Sequence, residues 1–392
     1  MWREERLKKF CVRIAEELIS NGELSHPFPF GHAFAEETIP NLVKKEEAEV
    51  SETNSIPQLA SLACFSPFDL ALYDAFAKYH GVSVFEVFSS DWLEESLESY
   101  LEPREKFVGK YPADYLEPRK DALPVWHLVG GLDPIDSSEL NGDEPEDGYP
   151  VLLRDWIRAD GLKCLKLKLR GDDEAWDFAR IEKIGNIANE EGVEWLTTDF
   201  NCTVKDPDYV NGILDKLKLD RPDVFKKLLY VEQPFPHDLE ANRIDVHSVS
   251  SRKPLFLDES AHDWRFVRMG HEMGWNGVAL KTCKTLTGAI LSLCWAREHG
   301  MDLMVQDLTN PMLAIIPHCQ LAAHAGTIMG VECNGMQFYP AMSLPEEAVH
   351  PGIYRRRSGI VDLSTLGDTG FGYRLDEIGR ELPEPVFAES IG

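Results

Sequence analysis

GLKCLKLKLRG, residues 161–171, alternates Leu165, Leu167 and Leu169 with Lys166 and Lys168. A period of two is the mark of a β-strand whose faces meet different surroundings. The leucine face asks for burial. The lysine face carries two like charges on residues i and i+2, which point the same way, and a core strand tolerates that only where opposite charge meets them. Lys163 and Arg170 stand nearer the ends of the stretch, where solvated or snorkelling side chains are expected.

Short apolar runs of the same kind recur on both sides. They are LPVWHLV (123–129), EWLTTDF (194–200), LLYVEQP (228–234), PLFLDES (254–260), GVALKT (277–282), DLMVQD (302–307) and IMGVE (328–332). With CLKLKL (164–169) they make eight. Helix-period stretches such as DDEAWDFARIEKIGNIANEEG and TGAILSLCWAREHG separate them. Strand–helix alternation of this sort predicts a parallel sheet with helical crossovers. Eight units over about 210 residues predict an α/β protein built on a (β/α)8 barrel. A doubly wound sheet is the alternative, but no G-x-G-x-x-G follows the first run.

Before the alternation, residues 1–20 read as an amphipathic helix, HPFPFGHAF as a loop, and SPFDLALYDAFAKYHGVSVFEVF (66–88) as a helix opened by Ser-Pro and closed near Gly81. An acidic, irregular stretch covers roughly 89–120. After residue 345 a short strand and a glycine-rich loop replace the alternation.

The chain has 392 residues, 40 Lys and Arg against 67 Asp and Glu, and a net charge of −27. Such acidity argues against nucleic acid or an anionic membrane as partner. The eight cysteines show no C-x-x-C spacing, so reduced thiols and a cytoplasmic location are expected. The charged N-terminus does not read as a signal peptide, and no run of about 18 apolar residues predicts a membrane span.

In a (β/α)8 barrel the strand C-termini face the active site. Here those ends carry Lys166 and Lys168, Asp199 and Asn201, Glu232, Asp258 and Glu259, Lys281, Asp307 and Glu332. Carboxylates converging from Asp199, Glu232 and Asp258 repel unless a cation neutralises them. Oxygen-only ligands suit Mg2+ or Mn2+ rather than Zn2+. Lysines facing such a site are candidate bases, and a like charge two residues away is expected to lower their pKa. A metal opposed by lysines suits removal of the proton α to a substrate carboxylate, with the cation stabilising the enediolate. A metal-dependent hydrolase would want histidine ligands, which the strand ends lack. A non-catalytic binding protein on the same scaffold is a further alternative.

These residues resemble the enolase superfamily, in its mandelate racemase and muconate-lactonizing-enzyme branch. The likeness rests on KLKLRG (166–171), TDFN (198–201), VEQPF (231–235), PLFLDES (254–260) and GVALKTCKTLTGA (277–289). The helix at 66–88 and GDTGFGYRLDE (366–376) extend it to roughly residues 60–380. The resemblance implies a barrel over 120–345 and an α+β capping domain formed by residues 1–119 and 346–392. It also implies a small carboxylate-bearing substrate and a homo-oligomer. Lys168 would be the base on one face, with Lys166 tuning it or touching the substrate carboxylate, and Lys281 would act on the other face. Asp199, Glu232 and Asp258 would bind Mg2+, with Asn201 and Glu259 behind them. Asp307 and Glu332 would contact substrate or orient a lysine. His127, His318 and His324 read as satisfied core histidines.

Two departures stand out. Residues 1–60 show no β-meander of the kind the family's cap begins with. The eighth strand reads GVECNG, where many dipeptide epimerases hold the substrate ammonium with Asp-x-Asp. Two opposed lysines serve a racemase or epimerase, and equally a lyase such as an acid-sugar dehydratase, a cycloisomerase or an o-succinylbenzoate synthase-like enzyme.

Overall fold

A computed structural model describes residues 2–20, 25–49 and 55–388. Met1, residues 21–24, 50–54 and 389–392, which the expected cap includes, lie outside the described residues. The chain divides into two compact units, one of residues 1–116, 281–294 and 366–392 and one of residues 117–280 and 295–365.

The first unit begins with four helices, α1 (Trp2–Ser20), α2 (Pro27–Ala33), α3 (Ile39–Glu49) and α4 (Gln58–His80). Phe10, Ile14, Phe34, Ile39, Leu42, Ile56, Cys64 and Phe65 form their shared core. Two expectations are corrected here. The HPFPF segment is helical, because Pro27 and Pro29 fall in the first turn of α2, where no N–H is needed. His26 caps that turn, its Nδ1 accepting from Phe28 N at 3.1 Å. The second correction concerns α4, which starts at Gln58, so that Pro67 lies inside the helix. Pro67 cannot donate to the Ala63 carbonyl, and the Ser66 hydroxyl donates to it instead at 3.3 Å. The helix ends at Gly81, whose φ of 70° only glycine adopts without strain. By length and mean hydropathy α4 would suffice to cross a membrane, which a count of consecutive apolar residues overlooks. Its buried Ser61, Cys64, Phe65, Asp69, Tyr73 and Ala77 are those of a packed core helix. Among the described residues no strand precedes residue 122.

The second unit holds the parallel sheet. Its strands are β1 (Ala122–Val129), β2 (Cys164–Lys168), β3 (Trp195–Asp199), β4 (Leu228–Glu232), β5 (Leu255–Leu257), β6 (Gly277–Leu280), β7 (Asp302–Val305) and β8 (Val331–Glu332). All eight predicted runs are strands. The helices between the strands are α5 (Leu153–Asp160), α6 (Glu174–Glu190), α7 (Pro207–Asp220), α8 (Pro222–Lys227), α9 (His247–Ser250), α10 (Trp264–Glu272), α11 (Leu286–Glu298), whose residues 286–294 belong to the first unit, and α12 (Ile315–Ala325). The order in the sheet is β7-β6-β5-β4-β3-β2-β1-β8, with a short β9 (Ile360–Asp362) antiparallel to β1. The sheet curls. Gln306, just past β7, bridges in parallel to Glu332 at the end of β8, and Asp307 N donates to the Glu332 carbonyl at 3.2 Å.

On the inner face, Trp126, Cys164, Tyr230, Phe256 and Met304 form one apolar layer contributed by five strands. Tyr230 stacks on Phe256 with ring centroids 4.3 Å apart. Because side chains repeat every two residues, the next layer toward the strand C-termini brings together Leu128, Lys166, Glu232, Asp258 and Gln306. Leu165 and Leu167 are wholly buried on the opposite face of β2, worth about 2 kcal/mol each. The alternation that opened the sequence is therefore an oily face backed by helices and a charged face above an apolar floor.

Candidate active site

The charged layer is built by register. Lys168 on β2 pairs with Asp199 on β3, and Asp199 with Glu232 on β4. Three adjacent strands thus deliver their last residues side by side. Asp199 and Glu232 are fully buried, Asp258 nearly so.

Lys166 stands at the centre. Its Nζ lies 2.5 Å from Glu232 Oε1, 3.2 Å from Asp199 Oδ2 and 3.0 Å from Glu332 Oε2. Lys168 Nζ donates to Asp199 Oδ2, and the other oxygen of Asp199 accepts from Asn201 N at 2.8 Å. Asn201 Nδ2 reaches Glu259 Oε1 at 3.5 Å. Around Glu332, Asn334 Nδ2 donates to Oε1 at 2.9 Å, and His318 Nε2 lies 2.9 Å from its backbone oxygen. Asp307 Oδ2 accepts from Asn334 N at 2.7 Å. Nine of the ten expected site residues therefore gather in the second unit. Lys281 follows β6 directly, is 9% exposed and opens a single helical turn over Thr282–Lys284. It belongs to the first unit.

The electrostatics correct one expectation. Burial works to lower the Lys166 pKa, but Glu232, Glu332, Asp199 and Asp258 outweigh it and hold the ammonium well above its usual value. The like charge of Lys168 does not decide the matter, because four carboxylates surround Lys166. Burial raises Asp199 too, yet Lys166 and Lys168 bring it below the usual carboxylate range. Glu232 goes the other way. Burial lifts it far up, and Asp199, Asp258 and Glu332 add to that against the pull of Lys166.

Three contributors were not anticipated from the sequence. Gln306, fully buried, donates from Nε2 to Glu232 Oε2 at 2.5 Å. Gln233 accepts the backbone N–H of Asp258 at 2.7 Å and the Ser260 hydroxyl at 2.7 Å, fixing the loop that carries Asp258 and Glu259. Asn334 links Asp307 to Glu332. The signal for Gln306 was present in DLMVQ, since Gln306 lies two residues beyond Met304 and so on the same inward face.

His127 is a core histidine as expected. It is buried, its Nδ1 lies 3.3 Å from Arg356 Nη2, and burial with that neighbouring cation keeps it neutral. All eight cysteines are free thiols.

As arranged here, no three His, Cys, Asp or Glu side chains among the described residues form a ready metal cage. Both oxygens of Glu232 are engaged, by Lys166 and by Gln306. The donor set itself suits a hard divalent cation. Asp199, Glu232, Asp258 and Glu332 gather around Lys166, with Lys168 against Asp199, and every candidate donor among them is a carboxylate oxygen.

Residues 150–378 match the enolase C-terminal domain-like family. An L-Ala-D/L-amino acid epimerase from Pedosphaera parvula (strain Ellin514) is 27% identical over 210 residues, 52% of this chain and 56% of that protein. An aromatic dipeptide epimerase from Herpetosiphon aurantiacus is 23% identical over 254 residues, 63% of this chain and 66% of that one. The chain thus spans less than two thirds of the length of either curated relative. Among solved structures, a mandelate racemase/muconate lactonizing protein from Herpetosiphon aurantiacus superposes with a TM-score of 0.56 at 18% identity, covering 86% of this chain and 77% of that one, which speaks for the fold. The curled parallel sheet, the lysine pair facing strand-end carboxylates and the match over more than half of its length agree, and the chain belongs to the enolase C-terminal domain-like family, in its mandelate racemase and muconate lactonizing branch.

Proposed function

We propose that this protein is a racemase or epimerase that removes and returns the proton on the carbon next to a carboxylate. The observation that carries the reading is the β2 lysine pair, with Lys166 fixed as a cation by three carboxylates and Lys168 beside it against Asp199. The curled sheet is read as a closed (β/α)8 barrel, supported by the Gln306–Glu332 bridge, with residues 1–119 and 346–392 as its cap.

In this reading Asp199, Glu232 and Asp258 hold Mg2+ or Mn2+. When bound, that cation supplies positive charge for the substrate carboxylate and for the electron density that gathers there as the proton leaves. Lys166, whose charge the surrounding carboxylates maintain, faces the same carboxylate and orients it. Lys168 takes or returns the proton at Nζ on one face of the α-carbon. Lys281, at the end of the sixth strand, does so on the other. Glu332 holds Lys166, Asp307 holds Asn334, and Asn201 with Glu259 backs Asp199. Epimerisation is preferred over a lyase outcome because both curated relatives carry epimerase names. Dipeptides are accordingly the first substrate class to try, even with Glu332 and Asn334 in place of two aspartates on the eighth strand.

The test is incubation in D2O with Mg2+ and a panel of L-alanyl dipeptides, N-acyl amino acids and acid sugars, followed by proton NMR. Loss of the α-proton signal with inversion at that carbon supports the reading. Elimination without inversion turns it to a lyase. Retention of every α-proton across the panel contradicts it.

A further inference from the structure

Lys281 lies at the start of a short connection. The turn over Thr282–Lys284 follows it, then Thr285 with φ 71° and ψ 149°, then α11 from Leu286. A positive φ at a β-branched residue is strained and persists only where neighbours over-determine it. What fixes it here is the hydrogen bonding of the first turn of α11, in which the N–H groups of residues 286–289 all find acceptors. Ala289 N donates to the Thr285 carbonyl at 3.1 Å, and Gly288 N to Thr285 Oγ1 at 2.9 Å. The remaining two N–H groups, of Leu286 and Thr287, both donate to Asp69 Oδ2, at 2.7 and 3.2 Å. The Thr287 hydroxyl donates to Asp69 Oδ1 at 2.8 Å.

Asp69 therefore caps a helix more than 200 residues away in sequence. Both oxygens are used, and the carboxylate meets the positive end of the helix dipole. Tyr73, one turn further along α4, sets its hydroxyl 3.0 Å from Thr287 Oγ1. On the other side Gly31 leaves no slack. A Cβ there would stand 2.5 Å from Asp69 Oδ1 and 2.6 Å from Thr287 Oγ1. Nothing in the proton-transfer reading uses this fully buried carboxylate.

We propose that Asp69 is a positioning residue for Lys281, clamping the start of α11 so that the lysine five residues before Leu286 is held in register for proton transfer on its face. This deepens the function proposed above and rests on Lys281 acting there. Asp69 touches no reacting atom, and its effect is on one face only. A displacement of about 1 Å at a reacting group costs on the order of a hundredfold in rate, so a loosened clamp is expected to slow Lys281-face exchange by about tenfold or more.

The experiment follows replacement of the α-proton by deuterium in D2O, separately for each epimer at the α-carbon of the best exchanging member of the panel, with Mg2+ and the whole chain. Lys281→Ala identifies the face that depends on Lys281. Asp69→Asn and Thr287→Val are expected to slow exchange on that face by about tenfold or more while changing the other face less than about threefold. Thr287→Ser, which keeps the hydroxyl, is expected to restore it. Hydrogen-exchange mass spectrometry is expected to show lost protection confined to residues 281–289 in Asp69→Asn, which separates a loosened clamp from global unfolding. Equal slowing of both faces, or an unchanged Lys281 face in Thr287→Val, overturns the proposal while leaving the reading of Lys281 intact. If Lys281→Ala leaves both faces unchanged, the reading falls and the proposal with it.

Discussion

Asp69→Asn also makes a thermodynamic prediction that needs no substrate. Burial raises the Asp69 carboxyl from 3.8 to about 6, against the hydrogen bonds from Thr287 and Leu286 that pull it down. A carboxyl whose pKa is higher in the folded state binds its proton more tightly when folded. Its contribution to stability is thus fully present below pH 3.8 and is lost as pH rises through about 6. The full span is about two pH units, or about 3 kcal/mol. Of this, about 1.4 kcal/mol falls between pH 8 and pH 5. The Asp69→Asn variant cannot titrate there and loses part of the cap at every pH, an offset of about 1–3 kcal/mol. Urea unfolding of both proteins at pH 8, 7, 6 and 5, followed by circular dichroism, gives the difference between them, with all other titrations common to both. The wild type is expected to gain on the variant by about 1.4 kcal/mol on going from pH 8 to pH 5. A difference that stays constant across this range would refute the assignment of a raised pKa to Asp69.

Three further outcomes are expected. Gly31→Ala forces a methyl into the Asp69–Thr287 contact and is expected to cost about 1–3 kcal/mol, visible as a lower thermal midpoint. Lys166→Met leaves Asp199, Glu232 and Glu332 without their shared cation, a loss of about 3–5 kcal/mol in denaturant titration, and added Mg2+ is expected to raise its melting temperature more than the wild type's. Denatured, unreduced protein is expected to react with eight equivalents of a thiol reagent, and fewer would show a disulfide that the structure lacks.

The strands were legible because each is a short apolar run ending in a polar residue, and a buried parallel strand leaves that pattern whatever surrounds it. The same pattern marked Lys166, Lys168, Asp199, Glu232 and Asp258, whose faces follow from counting by two. Helix starts were harder. Pro67 looked like an N-terminus because the Ser66 hydroxyl that lets α4 pass through it leaves no mark in a propensity reading. The prolines of HPFPF looked like breakers because their place in the first turn depends on His26 as cap. Gln233, Gln306 and Asn334 were passed over because an uncharged amide says little until the strand order sets it against a carboxylate. The direction of the Lys166 shift is hidden in the sequence for a related reason. Lys168 is near in sequence, whereas Glu232 and Glu332 are near only once β2, β4 and β8 curl together. Asp69 belongs with these, since its partners at 286 and 287 are joined to it only by the fold.

The central claim is that two lysines exchange the proton α to a carboxylate from opposite faces. It is tested most directly by deuterium incorporation at that carbon, measured by proton NMR for the wild type, Lys168→Ala and Lys281→Ala on both epimers, at that carbon, of one exchanging substrate. The account predicts that the wild type exchanges both epimers, that each variant loses exchange of a different one, and that neither variant inverts the carbon. Exchange of both epimers undiminished in both variants would contradict it.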